Sequence, residues 1–123
     1  MRLWTPTGAV LALTAVALGA AGSHAVPMDD HARQLFETAS QYHFFHAIAL
    51  VLTGLSIGHA RTIVAQGAGM AFLLGSMLFC GSLYASAFGG PHGFGFLAPV
   101  GGTLLMLGWA LLGIAVFLGR GHR

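Results

Sequence analysis

The sequence predicts an all-α protein, a four-helix transmembrane bundle whose N- and C-termini are both cytoplasmic. Three observations lead to this fold class. Of the 123 residues, 56% are hydrophobic and only 7% are charged, whereas a soluble domain carries about 25% charged residues. In addition, three long stretches of the chain lack Asp, Glu, Lys and Arg altogether. A chain this short and this apolar needs lipid as its solvent, and we expect residues 1–123 to form a single membrane domain.

The uncharged stretches set the number of helices. They cover residues 3–28, 38–60 and 62–119. A helix of about 20 residues crosses the ~30 Å hydrocarbon core of a bilayer, so the first two stretches hold one span each and the third holds two. The glycines and the proline of GGPHGFG, at residues 89–95, break the third stretch.

The predicted spans are helices rather than strands, because lipid requires the backbone polar groups to be satisfied within each segment. The four spans cover residues 3–21, 40–58, 63–88 and 99–118. A polar outer loop at 27–39 separates the first two spans. Within this loop Asp29 or Asp30 is placed to cap a short helix that runs into the second span, and an irregular loop is the alternative.

The arginines predict the orientation of the spans. Arg2, Arg61 and the two arginines at the C-terminus fall on one side of a four-span protein, whereas all three carboxylates fall in the loop on the other side, together with Arg33. The positive-inside rule places the arginine-rich side in the cytoplasm. Both termini are therefore predicted to be cytoplasmic.

An alternative interpretation of the first span is a cleaved signal peptide. Arg2, the apolar run and the sequence Ser23-His24-Ala25 are also typical of a signal peptide that is cut after Ala25. Cleavage would leave three spans, and retention of Met1 in the mature protein would exclude it.

The histidines are the candidate functional side chains. His43 and His46 lie at the start of the second predicted span, in QYHFFHAIAL, and at three residues apart they share a helix face on which they can converge. Imidazole is the commonest metal ligand and titrates near neutral pH, so one interpretation is a metal, haem or proton site with His24 and His46 as its preferred members. The preferred interpretation is an aromatic belt around Tyr42 with histidines that hydrogen-bond to neighbouring helices. We therefore predict no bound metal and no cofactor.

Several classes of function lack the residues they need. No predicted span contains the carboxylate that small proton-coupled exporters use. The chain has no Ser-His-Asp order, HExxH pair or phosphate-binding glycine loop with a lysine, and no basic patch with interleaved aromatic residues for nucleic acid. The single cysteine, Cys80, excludes an intramolecular disulfide and is expected to be a buried apolar residue. The sequence therefore predicts a protein that is not an enzyme and does not bind nucleic acid.

Small residues at a spacing of four predict close helix packing. Such residues let helix backbones approach in lipid. The pairs are Gly54 and Gly58, Ala71 and Gly75, and Ser82 and Ser86. Cys80, Ser82 and Tyr84, in FCGSLY, are expected to hydrogen-bond across helices.

Four segments give the sequence a wider resemblance: GAVLALTAVALGAAGSHAV, FETASQYHFFHAIAL, GSMLFCGSLYASA and APVGGTLLMLGWALL. In order and spacing the chain resembles the domain-of-unknown-function 423 family of small integral membrane proteins. The resemblance implies a multi-pass protein of the bacterial inner membrane with four spans, and it favours retention of the first span. It implies no particular reaction.

The resemblance also marks individual positions. The family-motif positions are Gly22, His24, Tyr42, His46, Ser82, Tyr84, Pro99, Gly101, Gly102 and Trp109. His43 and Cys80 depart from the family pattern, which has glutamine and serine at these places, and the departures weaken any site that needs either residue.

These observations lead to three expectations about function. The leading one is a non-enzymatic accessory or scaffold role in the inner membrane, surrounded by the lipid bilayer and in contact with a membrane-protein partner or with further copies of the chain. The alternatives are a histidine-based metal- or haem-binding membrane protein, and an oligomeric transporter of a small neutral solute.

Overall fold

The computed structural model describes residues 3–25, 27–89 and 96–120 of the chain. These residues form four α-helices, with no strand among them: α1 (Trp4–Ala25), α2 (Asp30–Ser56), α3 (Thr62–Ala87) and α4 (Leu97–Arg120). A single 3-10 turn, Ile57–His59, follows α2. The prediction of an all-α bundle of four helices is confirmed.

Helices α2 and α3 form the centre of the bundle. They pack against each other, while α1 packs along the other side of α2 and α4 packs along α3. Small side chains make up most of the core, and Phe72 and Leu50 are its largest fully buried apolar members. A core of small residues allows the helices to approach closely in lipid.

The outer surface of the bundle is apolar. Large aliphatic and aromatic side chains are exposed on all four helices, for example Leu13 on α1 and Phe117, which is 75% exposed, on α4. A continuous apolar surface of this kind is unfavourable in water. Three helical segments, Trp4–Gly22, Thr62–Ala87 and Leu97–Gly119, are long and apolar enough to cross a membrane by length and composition.

Helix α2 differs from the other three in both length and polarity. It is continuous from Asp30, so most of the predicted polar loop at 27–39 is helical. Asp29 caps its start, since the Oδ1 atom accepts a hydrogen bond of 2.8 Å from the Ala32 N–H. Helix α2 is not among the three segments that are apolar enough to cross a membrane by length and composition alone, and its sequence includes His43 and His46. The least apolar helix therefore lies in the middle of the bundle.

A glycine marks the C-terminal end of α3, and a proline marks the start of α4. Helix α3 ends at Ala87, and Gly89 has a φ of 81°, in the left-handed region that follows many helix C-termini. The predicted break falls here, although residues 90–95 of the predicted turn lie outside the described part. Pro99 is in the first turn of α4, where a missing N–H breaks no helical hydrogen bond.

Glycines bring the helix backbones into direct contact. A Cβ atom added at Gly101 of α4 would collide with the backbone nitrogen of Phe79 and would lie 2.9 Å from the carbonyl oxygen of Gly75, both in α3. A Cβ atom added at Gly8 of α1 would lie 2.6 Å from the carbonyl oxygen of Ala47 in α2. Any side chain at these two glycines would have to push the backbones apart.

The predicted small-residue pairs contribute unequally to this packing. Gly54 faces the backbone of Thr5 in α1, and Gly75 faces α4. Gly58 has open space around it, so it mediates no helix contact. A spacing of four residues therefore identified the faces of the helices but not the individual contacts.

We expect Gly101→Ala to lower the thermal stability of the detergent-solubilised protein, by about 1–3 kcal/mol, because the added methyl group meets backbone atoms that cannot rotate away. Gly113→Ala is the matched control, since Gly113 lies on the same helix with nothing within 4 Å of its Cβ position. The control should be neutral, or stabilising by up to about 1 kcal/mol. Equal melting temperatures for the two variants would contradict the close approach of α3 and α4.

Candidate functional site

His46 joins α2 to α4 through both of its ring nitrogens. Its Nδ1 atom lies 2.8 Å from the carbonyl oxygen of Tyr42, and its Nε2 atom lies 3.0 Å from Nε1 of Trp109. An indole N–H can only donate and a carbonyl can only accept. The partners therefore assign the proton to Nδ1, and Nε2 accepts the hydrogen bond from Trp109. The imidazole is neutral, and each of its ring nitrogens has a hydrogen-bond partner.

Aromatic rings enclose this hydrogen bond. The ring of Phe72 lies 5.9 Å from that of His46 and 5.1 Å from that of Trp109, measured between centroids. The ring of Tyr42 stacks on the other side of His46 at 5.8 Å, with 13° between the planes. Trp109 is 46% exposed, so it lies at the edge of the bundle, where its N–H anchors α4 to α2.

His43 joins α2 to both α1 and α3. Its Nε2 atom lies 3.2 Å from Oγ1 of Thr14, and its Nδ1 atom lies 3.0 Å from the Tyr84 hydroxyl. The Thr14 hydroxyl donates its own hydrogen to the carbonyl oxygen of Leu11 at 2.8 Å, so its oxygen accepts from His43. Nε2 therefore carries the proton, and Nδ1 accepts from Tyr84. His43 and His46 are held as opposite tautomers.

The spacing of His43 and His46 suggested that they can converge on a common partner. In the structure they do not. Residues three apart on a helix point about 60° apart. Because α2 lies between its neighbours, this angle is enough to direct His43 toward α1 and α3 and to direct His46 toward α4.

Both histidines are buried inside the bundle. His43 is 9% exposed and His46 is 6% exposed. Helix α2 begins well before them, at Asp30, and their partners Thr14 and Trp109 lie near the midpoints of α1 and α4. His43 and His46 therefore lie near the middle of α2 rather than at its start.

A third connection runs from α1 to α3. The Nε1 atom of Trp4 donates a hydrogen bond of 2.7 Å to Oε1 of Gln66, and the indole ring lies on Gly69. This pair was not predicted from the sequence. The signal was available, since a buried tryptophan N–H needs an acceptor and Gln66 is an amide in a stretch without charges.

The remaining motif positions serve packing and local hydrogen bonds. The ring of Phe36 lies against Gly22, so α1 and α2 are in contact at this end as well. The Ser82 hydroxyl donates to the carbonyl oxygen of Phe79 in its own helix at 2.9 Å, rather than across helices. Gly102 is in ordinary contact with the ring of Phe79.

The described residues bring no metal ligand set together. No group of three His, Cys, Asp or Glu side chains among them is placed to hold a metal ion. Both nitrogens of His46 are already hydrogen-bonded, and Cys80 is a buried free thiol. The side chain of His24, the other preferred ligand, lies outside the part of the chain that the structure describes.

The bundle, its apolar surface and its internal hydrogen bonds define a small helical membrane protein. Comparison with known proteins then gives the family. The profile of the family described as "Protein of unknown function (DUF423)" matches residues 18–102. The chain belongs to this family.

Relatives of similar length support the assignment. A "UPF0382 membrane protein" of Staphylococcus aureus is 34% identical over 119 residues, which cover 95% of this chain and 97% of the relative. One of Haemophilus influenzae is 35% identical over 104 residues, with 83% of each chain covered. YwdK of Bacillus subtilis is 32% identical over 123 residues, with 94% of this chain and 96% of the relative covered. No solved structure matches the chain.

We expect Trp109→Phe to destabilise the protein by about 1–3 kcal/mol, because it leaves the buried Nε2 of His46 without a donor. In a double-mutant cycle with His46→Leu, the two losses should be non-additive by about 0.5–3 kcal/mol, as measured by unfolding in detergent. Thr103→Val is the control on α4, since this exposed hydroxyl bonds only within its own helix. Additive losses would contradict the hydrogen bond between α2 and α4.

Proposed function

We propose that this chain is a non-enzymatic accessory or scaffold protein of the bacterial inner membrane, which acts by binding another membrane protein or further copies of itself. One observation supports this most directly. Inside the bundle His46 bonds to Trp109, and His43 bonds to Tyr84. These hydrogen bonds fix the positions of helices and leave neither histidine free to act on a substrate.

The surface of α4 suits such contacts. The helix has neighbours mainly along α3, and large apolar side chains cover the rest of its surface. They are Val100, Met106, Leu107, Ile114, Phe117 and Leu118. A partner in the membrane would pack its own apolar helices against this face through shape and close contact, because apolar surface gains no hydrophobic advantage in lipid.

We further propose that all four helices cross the membrane, with both termini in the cytoplasm. The position of α2 between α1 and α3 supports this, since its neighbours shield its polar groups from lipid. The connection after α2 lies beside the last part of α4, where the Arg61 N–H donates to the carbonyl oxygen of Ala115 at 2.8 Å. That contact places Arg61 beside the C-terminal part of α4, so the end of α2 and the end of α4 lie on the same side of the bundle. The positive-inside rule assigns this arginine-bearing side to the cytoplasm. A C-terminal tag that an external protease reaches in intact spheroplasts would refute this orientation.

The two other functions gain no support from the described residues. A metal or haem ligand at His46 would have to displace the Trp109 N–H or the Tyr42 carbonyl. A path for a neutral solute would need several copies of the chain, because small side chains pack the centre of this bundle closely.

Site-specific photocrosslinking in native membranes tests the scaffold role. A photoreactive amino acid is placed in turn at three lipid-facing positions, Leu13 on α1, Met77 on α3 and Phe117 on α4, all of which are exposed. We expect at least one position, with α4 favoured, to give a discrete protein adduct that mass spectrometry identifies as one partner or as a second copy. Each of the other positions then serves as a control for random collision. Lipid adducts alone at all three positions would contradict the proposal.

A further inference from the structure

A cleft of ≈ 240 Å³ opens on the side of the bundle where α1 and α3 diverge. The buried His43 of α2 and Tyr84 of α3 line it. Ser76 and Cys80 of α3 form one wall. Positions 76, 80 and 84 lie four residues apart and therefore share one face of α3.

The Ser76 side chain is buried in this cleft without a hydrogen-bond partner. The residue is only 4% exposed. Among the described residues, its Oγ atom is the one buried side-chain oxygen or nitrogen that lacks a partner. A buried hydroxyl without a partner is costly in an apolar surrounding. The cost is removed if a bound molecule supplies the missing group.

The other polar groups of the cleft are already used. Thr14 accepts from His43 and donates to Leu11, and Tyr84 donates to His43. These bonds use every hydrogen that the three side chains can donate. Apart from the weakly donating Cys80 thiol, the hydroxyl of Ser76 is the free donor in the cleft.

The mouth of the cleft faces the lipid side of the bundle. Met77 and Gly81 flank it and are both exposed. The surrounding outer surface is apolar, so a ligand enters from the bilayer rather than from water. A volume of ≈ 240 Å³ is below the ~300–1,000 Å³ of pockets for drug-sized ligands. The cleft is therefore large enough for the polar head or the ring of a ligand, while any hydrocarbon tail of that ligand stays in the lipid.

We propose that this cleft binds the carbonyl group of an apolar molecule dissolved in the bilayer, with the Ser76 hydroxyl donating to the carbonyl oxygen. A carbonyl only accepts, so one donor satisfies it, and the cleft offers one strong free donor. Such a carbonyl is carried by an acyl ester of a phospholipid or by the ring of a quinone. The inference depends on the cleft and on Ser76, and it does not depend on a scaffold role.

Binding titrations with the purified, delipidated full-length protein in detergent distinguish the two sources. One arm compares a diester phosphatidylethanolamine with its diether analogue, which has the same head and tails but no carbonyl. The other arm compares a decyl-substituted benzoquinone with decylbenzene. Native mass spectrometry counts the adducts, and thermal shift gives the affinity. We expect the carbonyl compound of one arm to bind more tightly than its matched control. The arm in which this occurs shows whether the carbonyl comes from a phospholipid ester or from a quinone ring.

Two variants then locate the binding site. Ser76→Ala should weaken binding of the carbonyl compound roughly two- to tenfold, as expected for one neutral hydrogen bond. Gly81→Leu should abolish binding by filling the mouth, and it should fold, because nothing lies within 4 Å of its Cβ position. The matched controls are Ser82→Ala, a buried serine of the same helix whose hydroxyl is already bonded, and Gly113→Leu on α4. Neither control should change the affinity.

Several results would overturn the proposal. Equal binding of each carbonyl compound and its carbonyl-free control would show that the Ser76 hydroxyl meets only water. Binding that survives Gly81→Leu would place the ligand elsewhere on the bundle. Binding that is blocked by Gly81→Leu but unchanged in Ser76→Ala would mean that shape alone holds the ligand. Melting temperatures of the variants without ligand confirm that each one is folded.

Discussion

The fold depends on the satisfaction of polar side chains where no water is present. In lipid an unbonded donor or acceptor has no solvent partner. A hydroxyl such as that of Ser82 finds one in its own helix, whereas the larger side chains of His43 and His46 bond to neighbouring helices. The least apolar helix, α2, is accordingly in the centre, and its His43 and His46 together bond to all three other helices. Each outer helix also contributes a tryptophan that reaches past its main neighbour, since Trp4 of α1 bonds to α3 and Trp109 of α4 bonds to α2. These hydrogen bonds fix which helices meet and at what height.

The number and order of the helices could be predicted from the sequence because lipid imposes a simple rule on it. A span needs a long run without charges, and the gaps between charged residues therefore counted the helices correctly. The break after α3 was equally readable from glycine and proline, and Gly89 indeed has a positive φ. The continuous start of α2 was harder to predict, because the polar residues after Asp29 are compatible with either a helix or a loop.

The arrangement of the site could not be predicted, since it depends on which helix lies opposite each side chain. Spacing along α2 placed His43 and His46 on one face, but the positions of α1 and α4 separate their partners. Departure from the family pattern made His43 look dispensable, whereas the structure buries it between three helices. Thr14 and Ser76 went unnoticed because a single hydroxyl in an apolar run carries no spacing signal. Each polar residue in a span thus needs a hydrogen-bond partner to be identified for it, even when it belongs to no motif.

The most direct test of this account is the protonation pattern of the two histidines in lipid bilayers. Solid-state ¹⁵N NMR at neutral pH distinguishes the two neutral tautomers from each other and from the imidazolium. The hydrogen bonds require the proton on Nδ1 in His46 and on Nε2 in His43. Trp109→Phe should shift only the His46 signals, and Tyr84→Phe only those of His43, which assigns them. The same tautomer at both residues, or an imidazolium at either, would contradict a bundle that is held together through α2.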